Sequence, residues 1–216
     1  MEATIAQRTN LSHARIVDAA VRLLDTEPGR DLTMRRLAGE LGVDPMAIYH
    51  YVPSKKALLH AVVGRFLGVC DLPAAGVTWQ ERAEALCRAF RALAHRHPGP
   101  FLIYVMHPEY ADNEIALHEA AHAILHDAGF KAAQTVYAAR QLLAYPETFA
   151  WSELTGRTGD YDDEERADLE AALTTGNFPI TRSLVGEITQ PDVEDEFAFG
   201  LETMILGLEA QLAKTP

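Results

Sequence analysis

His118-Glu119-Ala120-Ala121-His122 is a literal H-E-x-x-H. On a helix, side chains four apart share a face, so both imidazoles can ligate one zinc ion while the glutamate takes a proton from bound water. By itself the string spells metallopeptidase. That chemistry needs a third ligand, and no H-x-x-G-x-x-H extension follows; Glu147 serves only if its own helix faces this one. His126 adds another turn to the ladder, and His118, His122 and His126 together suit a regulatory metal better than a catalytic one. A partly exposed histidine face with Glu119 in water accounts for the same residues without metal. The expectation is therefore no catalytic residue, no resident metal and no cofactor.

A second constellation suits nucleic acid. A first helix can start after Ser12, with Ile16, Ala19, Ala20, Leu23 and Leu24 forming an apolar stripe, and stop at Pro28-Gly29. Thr33 caps a second helix that buries Leu37 and Leu41, and Gly42 ends it where a left-handed residue is wanted. Asp44-Pro45 reads as N-cap and first helical residue of a third, short helix through Tyr51, which Pro53 stops. Ser54 caps a fourth helix carrying Leu58, Leu59, Val62, Val63 and Phe66. Two short helices joined across Leu41-Gly42-Val43 and packed on a longer one form a helix-turn-helix, whose second helix enters the major groove. Arg35 can fork onto guanine N7 and O6. Met46 and Ala47 offer only apolar contact, for instance to a thymine methyl, so hydrogen-bonded readout rests on Arg35 and His50.

The run from Leu32 through Arg35-Arg36, Leu41-Gly42-Val43, Tyr49-His50-Tyr51 and Lys55-Lys56 to Leu59 resembles the DNA-binding domain of the TetR family of repressors over residues 12 to 66. The resemblance implies that Thr33, Tyr49, His50 and Lys55 meet phosphate or groove. It also puts Arg35 at a base edge and Pro45, Met46 and Ala47 on the base-facing turn, with Tyr51 and Val52 packing. It implies an all-α fold, with a three-helix helix-turn-helix domain over residues 1–66 and a larger helical ligand-binding and dimerisation domain over residues 67–216.

The second part follows from periodicity. Thr78-Trp-Gln-Glu81 is a capping box opening a helix through about His95, with Ala83, Leu86, Phe90 and Leu93 on one side, and Pro98-Gly99-Pro100 ends it. A short apolar helix, Phe101 to Met106, gives way at His107-Pro108; the next runs from about Asn113 to Ala128. Ala132 to Leu154 is one long helix in which Pro146 removes a backbone bond to Leu142. A loop precedes a helix near Glu164 to Thr174, and the last helix opens at Pro191 with acids in its first turns. Tyr137, Gln141, Tyr145 and Phe149, four apart, form an aromatic wall with one amide, opposite Phe90, Phe101, Tyr104 and Met106. Plain core explains that stripe equally well. His107 lies near where the resemblance would bring a residue toward a ligand. Phe197, Leu201, Met204, Ile205 and Leu208 form a wide stripe on the last helix, with Gly200 and Gly207 one heptad apart, and suit a subunit interface; an intramolecular core helix is the other use.

Composition bounds these readings. The chain has 216 residues and a formal net charge of −12, unevenly divided: 9 Lys/Arg against 7 Asp/Glu up to Gly68, and 10 against 24 beyond. An acidic body repels DNA while a near-neutral front can show phosphates a basic face. Residues Met1 to Asn10 carry no apolar leader, the apolar run Phe101 to Met106 is too short to span a bilayer, and Cys70 and Cys87 cannot build a disulfide framework. A cytoplasmic transcriptional regulator is expected, with double-stranded operator DNA, a small-molecule effector and a second copy of the chain as partners, and no membrane. It is read as a repressor released from a palindromic operator by a small hydrophobic ligand. A metal-responsive repressor using His118, His122 and His126, or an H-E-x-x-H zinc hydrolase, remains the alternative.

Overall fold

The computed structural model describes residues 11–70, 78–107 and 114–214, and every regular element among them is a helix. In chain order these are α1 (His13–Thr26), α2 (Met34–Leu41), α3 (Pro45–Tyr49), α4 (Lys55–Leu67), α5 (Trp79–Arg96), α6 (Pro98–Met106), α7 (Ile115–Asp127), α8 (Ala132–Leu154), α9 (Asp163–Thr175), α10 (Pro179–Ser183), α11 (Val185–Thr189) and α12 (Val193–Leu212). They gather into two compact units, Met1–Glu147 and Thr148–Pro216, and the division falls within α8. The stretch Met1 to Asn10, together with Pro108 and Asn113, lies outside the described residues.

Helix starts follow the side chains that can satisfy orphan N–H groups. Ser12 accepts from Arg15 N at 3.2 Å, Thr33 from Arg36 N at 3.2 Å, and Ser54 from Ala57 N at 3.1 Å. Thr78 and Glu81 close a reciprocal capping box on α5, and Asp162 and Glu165 another on α9. Several boundaries depart from the periodic reading. The third helix ends at Tyr49, and the following turn bonds Tyr51 N to Ile48 O at 2.9 Å. The last helix starts at Val193, because Asp192 rather than Pro191 accepts its first amides. The five-residue helices α10 and α11 carry no periodic stripe and were not anticipated.

In the first unit α1 packs on α2, α4 and α6, and α4 also packs on α6. The helices of residues 1–66 therefore share a core with α6, which lies beyond them in sequence. The contact between α1 and α6 is made by backbone. A Cβ on Gly99 would stand 2.3 Å from Leu24 O and 2.4 Å from Leu24 C, so no side chain fits there. Pro98-Gly99-Pro100, expected only to stop α5, also starts α6, and its amides can be accounted for one by one. Pro98 and Pro100 have no N–H, Phe101 N donates to His97 O at 3.0 Å, and Gly99 N donates across to Asp25 Oδ1 at 3.3 Å. The other oxygen of the same carboxylate lies 2.8 Å from His97 Nδ1. Asp25, near the end of α1, thus caps α6, and the positive end of that short helix favours its charge.

Pro146 lies inside α8, where the missing N–H leaves the Leu142 carbonyl without its helical donor. Cys87 of α5 takes that place, its thiol donating to Leu142 O at 3.2 Å with Cys87 and Leu142 both fully buried. Burial pushes the Cys87 thiol up to about 12, with Glu84 adding to the rise, so it stays protonated and keeps the proton it donates. Cys87→Ala is expected to cost about 1–3 kcal/mol by stranding a buried carbonyl. Pro146→Ala, which restores an N–H at that position, should recover part of the loss. Urea unfolding of the wild type, both single variants and the double variant measures this; effects that add within about 0.5 kcal/mol would refute the pairing.

Candidate nucleic-acid interface and effector body

The turn between α2 and α3 is set by Gly42, whose φ of 66° is left-handed, with Val43 N donating to Ala38 O at 3.0 Å. Asp44 then caps α3 through Met46 N at 2.8 Å, and Pro45 occupies its first turn. Ile48 is the inward anchor, fully buried, and Val52 is buried beside it. This leaves the opposite side of α3 in solvent, where Met46 is 66% exposed and Tyr49 and His50 are exposed as well. Pro45 and Ala47 are half-buried. Tyr51, expected to pack, is exposed, because α3 ends two residues before it and the turn carries it outward. Leu41, expected to be buried in α2, is half-buried.

The neighbouring arginines have different surroundings. Arg35 is exposed and has no ion pair among the described residues. Arg36 is held inward, its Nη2 2.8 Å from Glu27, which also pairs with Arg30. Lys55 pairs with Asp31, and Thr33 stays exposed beside the capped end of α2. Glu27 and Asp31 were not singled out in the sequence, where Asp31 stands 24 positions from the Lys55 it pairs with.

The expected ligand residues do not fall into one group. Phe90, Phe101 and Tyr104 join Phe66 in an aromatic cluster with ring centroids 6.0–6.4 Å apart, and Phe90 and Phe101 are buried as core. His107 is half-buried at the end of α6. Tyr137 is 62% exposed and Gln141 is exposed, whereas Tyr145 is half-buried. Steps of four residues drift by about 40° each around a helix, so a wall read at that spacing turns by about 120° between Tyr137 and Phe149. Phe149, in the second unit, meets Phe197 of α12 edge to face at 5.2 Å. Phe197, Leu201 and Leu208 are buried within the chain, so three of the five stripe residues expected at a subunit interface are intramolecular core. Met204 and Ile205 are half-buried, while Phe199 and Leu206 of the same helix are exposed.

The polar end of the aromatic cluster is Tyr104, whose hydroxyl donates to Glu147 Oε2 at 3.2 Å. Burial pushes the Tyr104 phenol upward, with Glu147 and Glu114 adding to it, so it remains a donor. Burial also raises the Glu147 carboxyl, against the Tyr104 hydrogen bond and with help from Glu114. Glu114 in turn lies 3.3 Å from His118 Nε2. His118 and His122 have ring centroids 6.1 Å apart, His126 is exposed beside Asp127, and no three His, Cys, Asp or Glu among the described residues gather as a metal site. Glu147 is engaged by Tyr104 and was considered in the sequence only as a third zinc ligand.

Residues 16–62 match the family described as bacterial regulatory proteins, tetR family, and residues 72–212 match the tetracyclin repressor-like C-terminal domain. The chain belongs to the TetR family. It is 32% identical to the HTH-type transcriptional repressor DrrR1 of Streptomyces coeruleorubidus, over 96% of this chain and 80% of that one. Among solved structures it is similar to ActR of Streptomyces coelicolor in complex with actinorhodin (TM-score 0.81, 26% identity, 95% and 100% of the two chains). It is also similar to BioQ with its double-stranded DNA operator (TM-score 0.66, 25% identity, 93% and 99%). As a TetR-family chain it is a DNA-binding transcriptional regulator with a helix-turn-helix head and a helical body.

Glu147 gives this TetR-family chain a pH signature. Its folded carboxyl titrates above the unfolded one, so its contribution to stability is fully present below the ordinary carboxylate value and is lost as pH rises through the folded value. Glu147→Gln keeps an acceptor for Tyr104 without the charge. Urea midpoints across the acid-to-neutral range should show the wild type losing stability relative to this variant as pH rises, and a pH-independent difference would overturn the assignment.

Proposed function

We propose that this TetR-family chain is a homodimeric repressor that leaves a palindromic operator when a small, largely apolar ligand enters its body. Residues 1–66 read DNA and residues 67–216 bind ligand and dimerise. The observation that carries the reading is the exposed face of α3, with Met46, Tyr49 and His50 in solvent beside an Arg35 that has no ion pair among the described residues. In this arrangement Arg35 reads guanine, Pro45, Met46 and Ala47 form the base-facing turn and offer apolar contact, and Thr33, Tyr49, His50 and Lys55 hold the phosphates and groove walls. Supporting it are the operator complex of BioQ and the actinorhodin complex of ActR. The Tyr104 hydroxyl and Glu147 carboxyl, the polar end of an otherwise aromatic interior, are suited to orient a ligand that carries a hydrogen-bonding group. The chain is a regulator rather than an enzyme, acting in the cytoplasm where its operator lies.

The dimer seam is assigned to the outward side of α12, where Phe199 and Leu206 lie seven residues apart next to half-buried Met204 and Ile205. Gly207 has open space where a Cβ would stand, so another backbone can approach. Phe199→Asp with Leu206→Asp puts unpaired charge in that seam without touching the buried Phe197, Leu201 and Leu208. Light scattering at micromolar concentration should give a dimer for wild type and a folded monomer for the variant. A monomeric wild type would refute the assembly.

DNA reading is tested on an operator selected from random duplexes. Arg35→Ala should lose about 1–3 kcal/mol of specific binding and relax selection at one base pair of each half-site. Lys55→Ala should weaken all sequences alike and reduce the slope of log K against log salt by about one. Equal affinity of Arg35→Ala and wild type on the selected site would sink the assignment.

A further inference from the structure

A cleft of about 240 Å³ opens in the first unit, lined by Asp18, Val21 and Arg22 of α1, Arg65 and Phe66 of α4, Val69 just beyond it, and His97 at the corner between α5 and α6. Asp18, Val21 and Arg22 share one face of α1 by their three- and four-residue spacing. The floor is apolar, made by Val21, Phe66 and Val69, and the rim is polar. Arg65 reaches Asp18 through Nε at 3.0 Å, and a guanidinium has four further N–H donors on its two Nη atoms. Arg22 has no ion pair among the described residues. His97 uses Nδ1 on Asp25, which leaves Nε2 for another partner. The cleft therefore has one carboxylate on its rim against two guanidiniums and an imidazole.

That arrangement fits a particular kind of guest. The cleft is smaller than the roughly 300–1,000 Å³ pockets that hold drug-sized ligands, which suits a guest of about nine heavy atoms. Surplus guanidinium donors call for an anion, and the fork geometry favours a carboxylate. An apolar floor beside arginine planes favours a flat ring over a hydrated inorganic ion. We propose that this cleft binds a small aromatic carboxylate, and that its occupancy lowers operator affinity. The guest's carboxylate takes the Nη donors of Arg65 and Arg22 that Asp18 does not use and stands beside His97, so it can turn the ring whose Nδ1 engages Asp25, and Asp25 is the residue that holds the end of α1 against the start of α6. Loosening that contact frees the DNA-reading helices from the body, so the second half of the proposal rests on the repressor reading given above.

Benzoate is the probe, with benzyl alcohol as its neutral counterpart and inorganic phosphate as the anion without a ring. Amide chemical shifts of the labelled full chain are followed without DNA. Benzoate should saturate below about 10 mM with shifts centred on Val21, Phe66 and Val69, and both controls should bind at least about tenfold more weakly. Arg22→Ala, an exposed substitution that leaves the fold intact, should weaken benzoate about tenfold or more. The cleft assignment fails if benzoate does not saturate, if benzyl alcohol binds equally well, or if Arg22→Ala binds like wild type. Operator affinity is then measured with and without saturating benzoate. A loss within about 5- to 150-fold in wild type, absent in Arg22→Ala, is expected. Unchanged affinity overturns the regulatory half, whereas failure of the untreated wild type to bind any selected operator overturns the repressor reading instead.

Discussion

The start of α6 lies so close to the end of α1 that their backbones touch, and most of the first unit is arranged around that contact. Gly99 is required because any Cβ would overlap the Leu24 carbonyl. A backbone this close must have its polar groups paired, since water is excluded. The prolines on either side of Gly99 reduce the demand to one N–H, and Asp25 supplies the acceptor. The same carboxylate also orients His97. A helix of the DNA-binding head is thereby tied by one side chain to a helix of the body. Displacement at α6 consequently reaches α1 directly, without a chain of intervening side chains.

A similar accounting governs the interior. Pro146 creates a donor deficit four residues back, and Cys87 fills it with a thiol that burial keeps protonated. Next to it in the chain, Glu147 is a half-buried carboxyl whose hydrogen bond comes from Tyr104. The proline and the glutamate are neighbours, so the segment of α8 with a broken ladder also carries the polar group of the aromatic cluster. A carboxylate here has a desolvation penalty that one phenol only partly offsets. Under the proposed effector reading, a ligand able to donate a hydrogen bond here would reduce that penalty.

Features with a local cause were legible in the sequence. Ser12, Thr33, Asp44, Ser54 and Thr78 cap the helices assigned to them, and Gly42 takes the left-handed turn, because each acts on amides within three residues. What was illegible depends on partners far along the chain. Asp25 and Gly99 are separated by 74 positions, and nothing near either one announces the other. The apolar stripe of α12 was visible but not its division, since periodicity reports that a face is buried and not by what. Likewise the spacing of Tyr137, Gln141, Tyr145 and Phe149 suggested one wall, while the drift of four-residue steps sends its first member into solvent. H-E-x-x-H was conspicuous, yet His118 turns to Glu114 one turn before it, a local contact that the string does not encode.

A chain with a net charge of −12 must still approach DNA, and the distribution of its ion pairs shows how. In the head, Glu27 holds Arg36 and Arg30, Asp31 holds Lys55, and Asp18 holds Arg65. Surface pairs of this kind contribute little to stability, about 0–1 kcal/mol each, so their larger effect is on charge available to phosphate. Non-specific affinity depends on how many cations can release counterions, and every neutralised lysine or arginine removes part of that sum. Arg35 has no such pairing among the described residues, and it is also the side chain best suited to read a base. Attraction to arbitrary DNA is thus held down by acidic neighbours and by the acidic body, while Arg35, the proposed base reader, keeps its full charge. Discrimination is favoured over raw affinity, which is what a regulator needs when its operator competes with a genome of other sites.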